Sequence, residues 1–237
     1  MPNSYFRFKQ FIVQQDRSVQ KVCTDACILG AWFAGKIPAG SRVLDIGSGT
    51  GLLMLMIAQK NSSEIQGIEI DPASYQQQLE NIEACKWKER LRSFSGDARK
   101  YSFPGKFDFI ISNPPFFESD LLSKSEQKNI AKHSKALTLE DLIKISENYL
   151  ETHGSIGVLL PFHRTSYFEE LAGKYSFCVL EKLLIRQTPR HPYFRTILHL
   201  SRDKGKDTSL FELTIQNEQN EYSEGFTALM KDFYFNF

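Results

Sequence analysis

Asn113-Pro114-Pro115-Phe116 closes an apolar run, Phe107-Asp108-Phe109-Ile110-Ile111-Ser112, with groups suited to gripping a planar amine. The Asn113 side chain offers a carbonyl acceptor, and Pro114 offers a backbone carbonyl on a residue without an N–H of its own. Two acceptors in a rigid turn hold both hydrogens of an NH2 group and aim its lone pair outward, toward an electrophile. Phe116 adds a ring face on which a flat heterocycle stacks. Alone, the tetrapeptide reads equally as a proline-rich turn after a strand. Residues upstream decide between the two readings.

Asp45-Ile46-Gly47-Ser48-Gly49-Thr50-Gly51 joins a short apolar strand to an apolar helix, where the chain must turn sharply and let a ligand approach its backbone. Gly47, Gly49 and Gly51 are each two apart, so the turn is not a Gly-x-Gly-x-x-Gly dinucleotide fingerprint, and it lacks the Gly-Lys-Ser/Thr ending of a P-loop. Phosphate is not the expected guest. Glu69 ends the next strand, 24 residues beyond Asp45. Asp71 is the alternative carboxylate at this edge, but it lies one side-chain step further out, near the cap of the following helix. Gly96-Asp97-Ala98 ends the third strand, where Asp97 is either a ligand or part of an ordinary turn. Asp45, Glu69, Asp97 and Asn113 thus fall at the C-terminal ends of successive strands, the edge where open α/β sheets bind ligands.

The elements that must position these residues follow from apolar patterning. Strands are expected over 42–46, 65–70, 91–95, 107–112 and 154–160. Helices are expected over 52–58, from Pro72 toward Trp87, over 139–150 and over 162–175. Alternating strands and helices imply a mostly parallel sheet covered on both faces. Segments 178–185 and 195–201 have too few residues between them for a helical crossover, so they should pair as an antiparallel hairpin. Ahead of the sheet, 6–13 reads as a strand, and Thr24-Asp25 opens a helix through Ile28, Leu29, Trp32 and Phe33. Residues 1–38 are therefore an N-terminal extension on a single domain spanning 1–237. The polar stretch 117–136 reads as a mobile loop beside a substrate site.

Composition sets the outer bounds. With 41% hydrophobic and 24% charged residues, the 237-residue chain is an ordinary globular protein. No run approaches the roughly 18 apolar residues of a membrane helix, and the start lacks a secretory pattern, so a cytoplasmic location is expected. Cys23, Cys27, Cys85 and Cys178 lack the spacing of a zinc site, and no metal is expected. A net charge of +1 makes no global case for nucleic acid. Basic residues nevertheless gather between Lys86 and Lys100 and between Lys182 and Lys206, whereas the final stretch carries Glu218, Glu221 and Glu224. Such a layout presents either a phosphate-binding side or plain solvated faces.

The acidic residue followed by Gly-x-Gly-x-Gly resembles the first loop of class I methyltransferases that use S-adenosylmethionine, and the Asn-Pro-Pro-Phe turn narrows the resemblance to their amino-directed branch. This implies a seven-stranded Rossmann-like methyltransferase sheet, mostly parallel with an antiparallel C-terminal hairpin. It also implies direct in-line methyl transfer to nitrogen. Asp45, Gly47, Gly49, Gly51 and Asn113 would face the cofactor, Glu69 its ribose hydroxyls, and Asp97 the exocyclic amine of its adenine. Asn113, Pro114 and Phe116 would hold the target amine.

Phe8-Lys9-Gln10-Phe11, Asp16-Arg17, Lys21-Val22 and Thr24-Asp25 through Leu29-Gly30-Ala31-Trp32, with Tyr222 through Phe226 and Lys231-Asp232-Phe233-Tyr234, resemble the ends of bacterial tRNA1(Val) adenine-37 N6-methyltransferases. Ala131-Lys132-His133 resembles the basic element of that family. The resemblance implies a tRNA partner and adenine N6 as the target, with a monomer expected. Thr24 and Asp25 would close over the methionine end of the cofactor, or simply cap a helix. Phe116, Phe117, Lys132, His133, Arg186, Arg190 and Arg195 become the candidate substrate contacts. Many relatives carry Tyr where this chain has Phe116, which keeps stacking and loses a hydroxyl. Two other readings are a glutamine-amide methyltransferase acting on protein and a non-catalytic RNA-binding module.

Overall fold

A computed structural model describes residues 3–18, 20–115, 137–203 and 207–235. The chain opens with β1 (Tyr5–Arg7) and β2 (Ile12–Gln14), followed by α1 (Thr24–Ala34). The alternating body comprises β3 (Arg42–Ile46), α2 (Leu52–Lys60), β4 (Glu64–Glu69), α3 (Pro72–Glu83), β5 (Leu91–Ser95) and β6 (Phe107–Ser112). It continues through α4 (Leu139–Tyr149), β7 (Leu150–Pro161) and α5 (Thr165–Lys174). β8 (Cys178–Arg186), β9 (Tyr193–Ser201), β10 (Ser209–Thr214) and α6 (Glu224–Met230) complete the described elements.

The main sheet has eight strands in the order β10-β8-β9-β7-β6-β3-β4-β5. β3 through β9 are the seven expected strands. β9 is inserted antiparallel between β7 and β8, which makes the expected hairpin. β10 is an unforeseen eighth strand, parallel to β8 at the edge. Its Leu210 and Phe211 remain exposed and Leu213 alone of the strand is buried, so no alternating buried face marked it in the sequence.

Strand alternation feeds two cores, because successive side chains point to opposite faces. Val43, Ile65, Phe109, Leu159 and Ile197 meet α1 and α2 on one face through Ile28, Leu29, Phe33, Leu53 and Met56. Leu44, Ile46, Ile110, Ile156 and Val158 meet α4 and α5 on the other through Leu142, Ile143, Phe168 and Leu171. α1 lies close enough to the sheet that a Cβ on Gly157 of β7 would collide with the Phe33 ring. α4 starts at a capping box in which Asp141 N donates to Thr138 Oγ1 and Thr138 N donates to Asp141 Oδ2, each at 3.0 Å.

Residues 6–13 are not one strand. Phe8 N donates to Phe11 O at 2.9 Å, and the two buried rings stack 4.5 Å apart, folding the segment into a β1–β2 hairpin. The helix beginning at Pro72 stops at Glu83, short of Trp87, and α5 begins only after a 3-10 turn over Phe162–Arg164. Asp71 caps α3 as expected, accepting from Ser74 N at 2.8 Å.

Candidate active site

The glycine turn is built by backbone geometry that only glycine adopts freely. Gly47, Gly49 and Gly51 have φ of +73°, +54° and +83°. Gly47 N and Ser48 N donate to Ile68 O at 3.0 and 3.1 Å, which ties the turn to the end of β4. Gly51 then leads directly into α2. One strand over, Ser112 Oγ donates to Ile46 O at 2.8 Å, fastening the end of β6 beside the end of β3. That bond sets Asn113 next to the turn.

Between them lies a small cleft, open to solvent, whose walls include Gly47, Ser48, Gly49, Thr50, Leu52 and Asn113. Asn113 is half-buried, yet its Oδ1 is sealed from solvent and accepts no hydrogen bond from any described residue. A buried acceptor left unmatched is costly, so this carbonyl calls for an external donor.

Asp45 shows the same deficit more strongly. Both carboxylate oxygens are buried without a hydrogen-bond partner among the described residues. Desolvation, then the nearby Glu69 carboxylate, pushes its pKa well above the ordinary value. The folded protein therefore keeps the Asp45 proton at pH values where the unfolded chain, with a carboxyl pKa of about 3.9, has released it. Stability falls as pH rises between these two pKa values and is level above the folded one. Asp45→Asn is expected to raise the Tm of the protein without added ligand by about 2–4 °C at pH 8, equivalent to ~1 kcal/mol. The gain should shrink toward pH 4. Thermal scans across pH check this, and a lower Tm at pH 8 would mean that the carboxylate is satisfied in the native state.

Glu69 is 8% exposed and holds two backbone donors, Gly49 N on Oε2 at 2.8 Å and Asp71 N on Oε1 at 2.7 Å. Burial raises its pKa, while those two bonds oppose the shift. Each oxygen retains a second lone pair for a hydroxyl donor.

Other expected site residues are placed differently. The Asp97 carboxylate is gripped by Arg99, with Nε to Oδ1 at 2.8 Å and a terminal nitrogen to Oδ2 at 2.7 Å, which lowers its pKa. Thr24 is exposed in the first turn of α1, behind an N-cap at Cys23 that makes no side-chain capping bond. Asp25 accepts from Arg195 Nε at 2.8 Å, so two expected ligand residues pair with each other and clamp α1 to β9. Arg186 donates to Thr214 Oγ1 at 2.8 Å and lies 3.6 Å from Glu212, while Arg190 lies 3.6 Å from Glu218. The acidic C-terminal stretch thus offsets the basic one rather than standing opposite it. Phe116, Phe117, Lys132 and His133 lie outside the described residues.

The cleft wall also contains Gln20, Lys21, Val22 and Cys23, which were not expected there. This segment is held by buried amides on α3. Asn81 accepts from Gln14 N at 2.8 Å and donates to Gln14 O and Thr50 O at 3.0 Å, joining the N-terminal segment to the glycine turn. Gln77 accepts from Arg17 N at 2.9 Å. Burial, with Asp25 as the next cause, pushes the Cys23 thiol up to about 12.

The parallel strands, glycine turn and acceptor at the end of β6 define a methyltransferase fold and site. Residues 28–177 match the family model of the methyltransferase small domain. The chain is 37% identical over 239 residues to the tRNA1(Val) (adenine(37)-N6)-methyltransferase of Dyadobacter fermentans, covering 99% of each chain. It is 36% identical over 236 residues to the enzyme of that name from Yersinia pseudotuberculosis, covering 98% of this chain and 92% of the relative. Among solved structures, Atu636 of Agrobacterium tumefaciens, described as a predicted O-methyltransferase, shares the fold with a TM-score of 0.67 at 16% identity. That likeness covers 87% of this chain and 95% of the other. The chain belongs to the methyltransferase small-domain family and, within it, to the tRNA1(Val) (adenine(37)-N6)-methyltransferases.

Proposed function

We propose that the protein methylates the exocyclic N6 of adenine 37 in tRNA1(Val), the activity carried in the names of its relatives. The observation behind the chemical part of this reading is the sealed, unpartnered Asn113 Oδ1 at the wall of a cleft lined by the glycine turn. S-adenosylmethionine, when bound, supplies a methyl group activated by its sulfonium. The donor set fits that molecule. Glu69 accepts from ribose hydroxyls, and Gly47 and Gly49 let the cofactor approach the backbone.

Asn113 Oδ1 and the Pro114 carbonyl accept the two N–H groups of the target amine and leave its lone pair facing the cleft. Both hydrogen bonds strengthen as the nitrogen gains positive charge, so they favour the transition state over the ground state. No strong base is required, because the methylated nitrogen is acidic and loses its proton to water. Phe116 stacks on the base in this assignment, with Phe117, Lys132 and His133 as neighbouring contacts. The raised Cys23 pKa keeps a thiol at the cleft wall neutral, where a thiolate would compete as a nucleophile for the methyl group.

The described residues contain no helix long and apolar enough to cross a membrane, and all four cysteines are free. We place the enzyme in the cytoplasm as one domain over 1–237, working as a monomer. Incubating it with tRNA and isotopically labelled S-adenosylmethionine, then digesting to nucleosides for mass analysis, tests the reading. Labelled N6-methyladenosine is the expected product. Label confined to glutamine in protein would replace the nucleic-acid reading.

A further inference from the structure

β6 and β7 run parallel with Ser112 opposite Val158, and β7 continues to Pro161. The chain leaving β7 therefore emerges at the same sheet edge as Asn113, on the adjoining strand, and neighbouring strands lie roughly 4.8 Å apart. It leaves through an exposed turn, Phe162-His163-Arg164. β9 starts at this edge too, since Pro161 pairs with Arg195 and puts Tyr193 just beyond.

These residues form a connected aromatic and basic surface. Phe162 is 40% exposed, with its ring 5.6 Å from that of Tyr193. The Arg164 guanidinium lies 5.0 Å from the ring of Tyr167, itself 49% exposed. Arg164 makes no ion pair with an acidic residue among the described residues, unlike Arg186, Arg190 and Arg195. Glu212, hydrogen-bonded to the Tyr193 hydroxyl and paired with Arg186, bounds the surface on that side. Exposed rings interleaved with an unneutralised guanidinium match single-stranded nucleic acid, whose bases stack and whose phosphates pair.

We infer that Phe162, Arg164 and Tyr167 form a docking platform for the single-stranded loop flanking the target adenine, with Phe162 stacking on a neighbouring base and Arg164 contacting phosphate. The inference rests on the tRNA reading above and extends it to a surface beyond the cleft. The occupant is a loop because a base inside a duplex has no open face to stack on a side chain, whereas unstacked loop bases do.

Steady-state methylation of tRNA at saturating S-adenosylmethionine tests it, using Phe162→Ala, Phe162→Tyr, Arg164→Gln and Arg164→Lys. Phe162→Ala should raise KM for tRNA roughly five- to a hundredfold, the range for losing one stacked base, with KM carrying most of the loss. Phe162→Tyr should restore it. Arg164→Gln should lower the salt dependence of tRNA affinity by about one phosphate contact, and Arg164→Lys should keep that slope. The affinity for S-adenosylmethionine should be unchanged in all four. If the wild type methylates tRNA while Phe162→Ala and Arg164→Gln match it in KM and salt slope, the platform is wrong and the tRNA reading stands. Should the wild type instead methylate only protein glutamine, both fall.

Discussion

Asn113→Ala is expected to lower kcat roughly a hundred- to a thousandfold, the usual scale for deleting one positioned hydrogen-bonding group that acts in the transition state. Its affinity for S-adenosylmethionine should stay within a few-fold of the wild type. The split follows from the geometry. Asn113 Oδ1 is the buried, unpartnered acceptor assigned to the amine in the proposed reaction, whereas the glycine turn and Glu69 are held by bonds that do not involve Asn113. Stopped single-turnover reactions, together with calorimetric titration of the cofactor, separate the two quantities. Near-normal single-turnover rates would remove Asn113 from the reacting centre. A cofactor affinity that fell as far as the rate would make it a cofactor ligand first.

Glu69→Ala should act on the other quantity. Two hydroxyl bonds to a carboxylate are each worth about 1.5–3 kcal/mol, so their loss weakens the cofactor by at least roughly a hundredfold. The same change frees Gly49 N and Asp71 N, which the carboxylate now holds at 2.8 and 2.7 Å, and so loosens the turn itself. Saturating cofactor should recover much of kcat in Glu69→Ala and none of it in Asn113→Ala. Because burial raises the Glu69 pKa, its charged form is lost at a higher pH than for an ordinary glutamate, and cofactor affinity should decline on acidification sooner. Titration of the wild type from pH 8 down to pH 5 checks this, and a flat profile would contradict the assignment.

The parts of the site that depend on local backbone were legible in the sequence. Gly47, Gly49 and Gly51 reported a turn of positive φ because each glycine carries its own conformational signal, and Asn113-Pro114-Pro115 marked the end of β6 for the same reason. The strands of the body were legible because their faces are buried and regular. What escaped was set by pairings between distant residues. Gln77, Gln78 and Asn81 look like the solvated side of a polar helix, yet they are buried because their partners arrive from the N-terminal segment and the glycine turn. Asp25 and Arg195 are 170 residues apart in sequence and meet only when α1 docks beside β9. Arg186 and Arg190 looked free for phosphate until Glu212 and Glu218 came alongside. Composition records that those charges exist, and the fold alone decides which of them remain open. By that measure Arg164, which sequence reading passed over, is a better candidate for phosphate than either.

The central claim is that Asn113 and Pro114 grip an exocyclic amine at position 37 of a tRNA. Transcripts of tRNA1(Val) carrying adenine at position 37, or purine there with its exocyclic amine missing, test it with one labelled cofactor and one enzyme preparation. The account predicts methyl incorporation at residue 37 of the adenine transcript, located by fragment sequencing, and none in the purine transcript. Equal incorporation into both transcripts, or incorporation mapping away from residue 37, would contradict it.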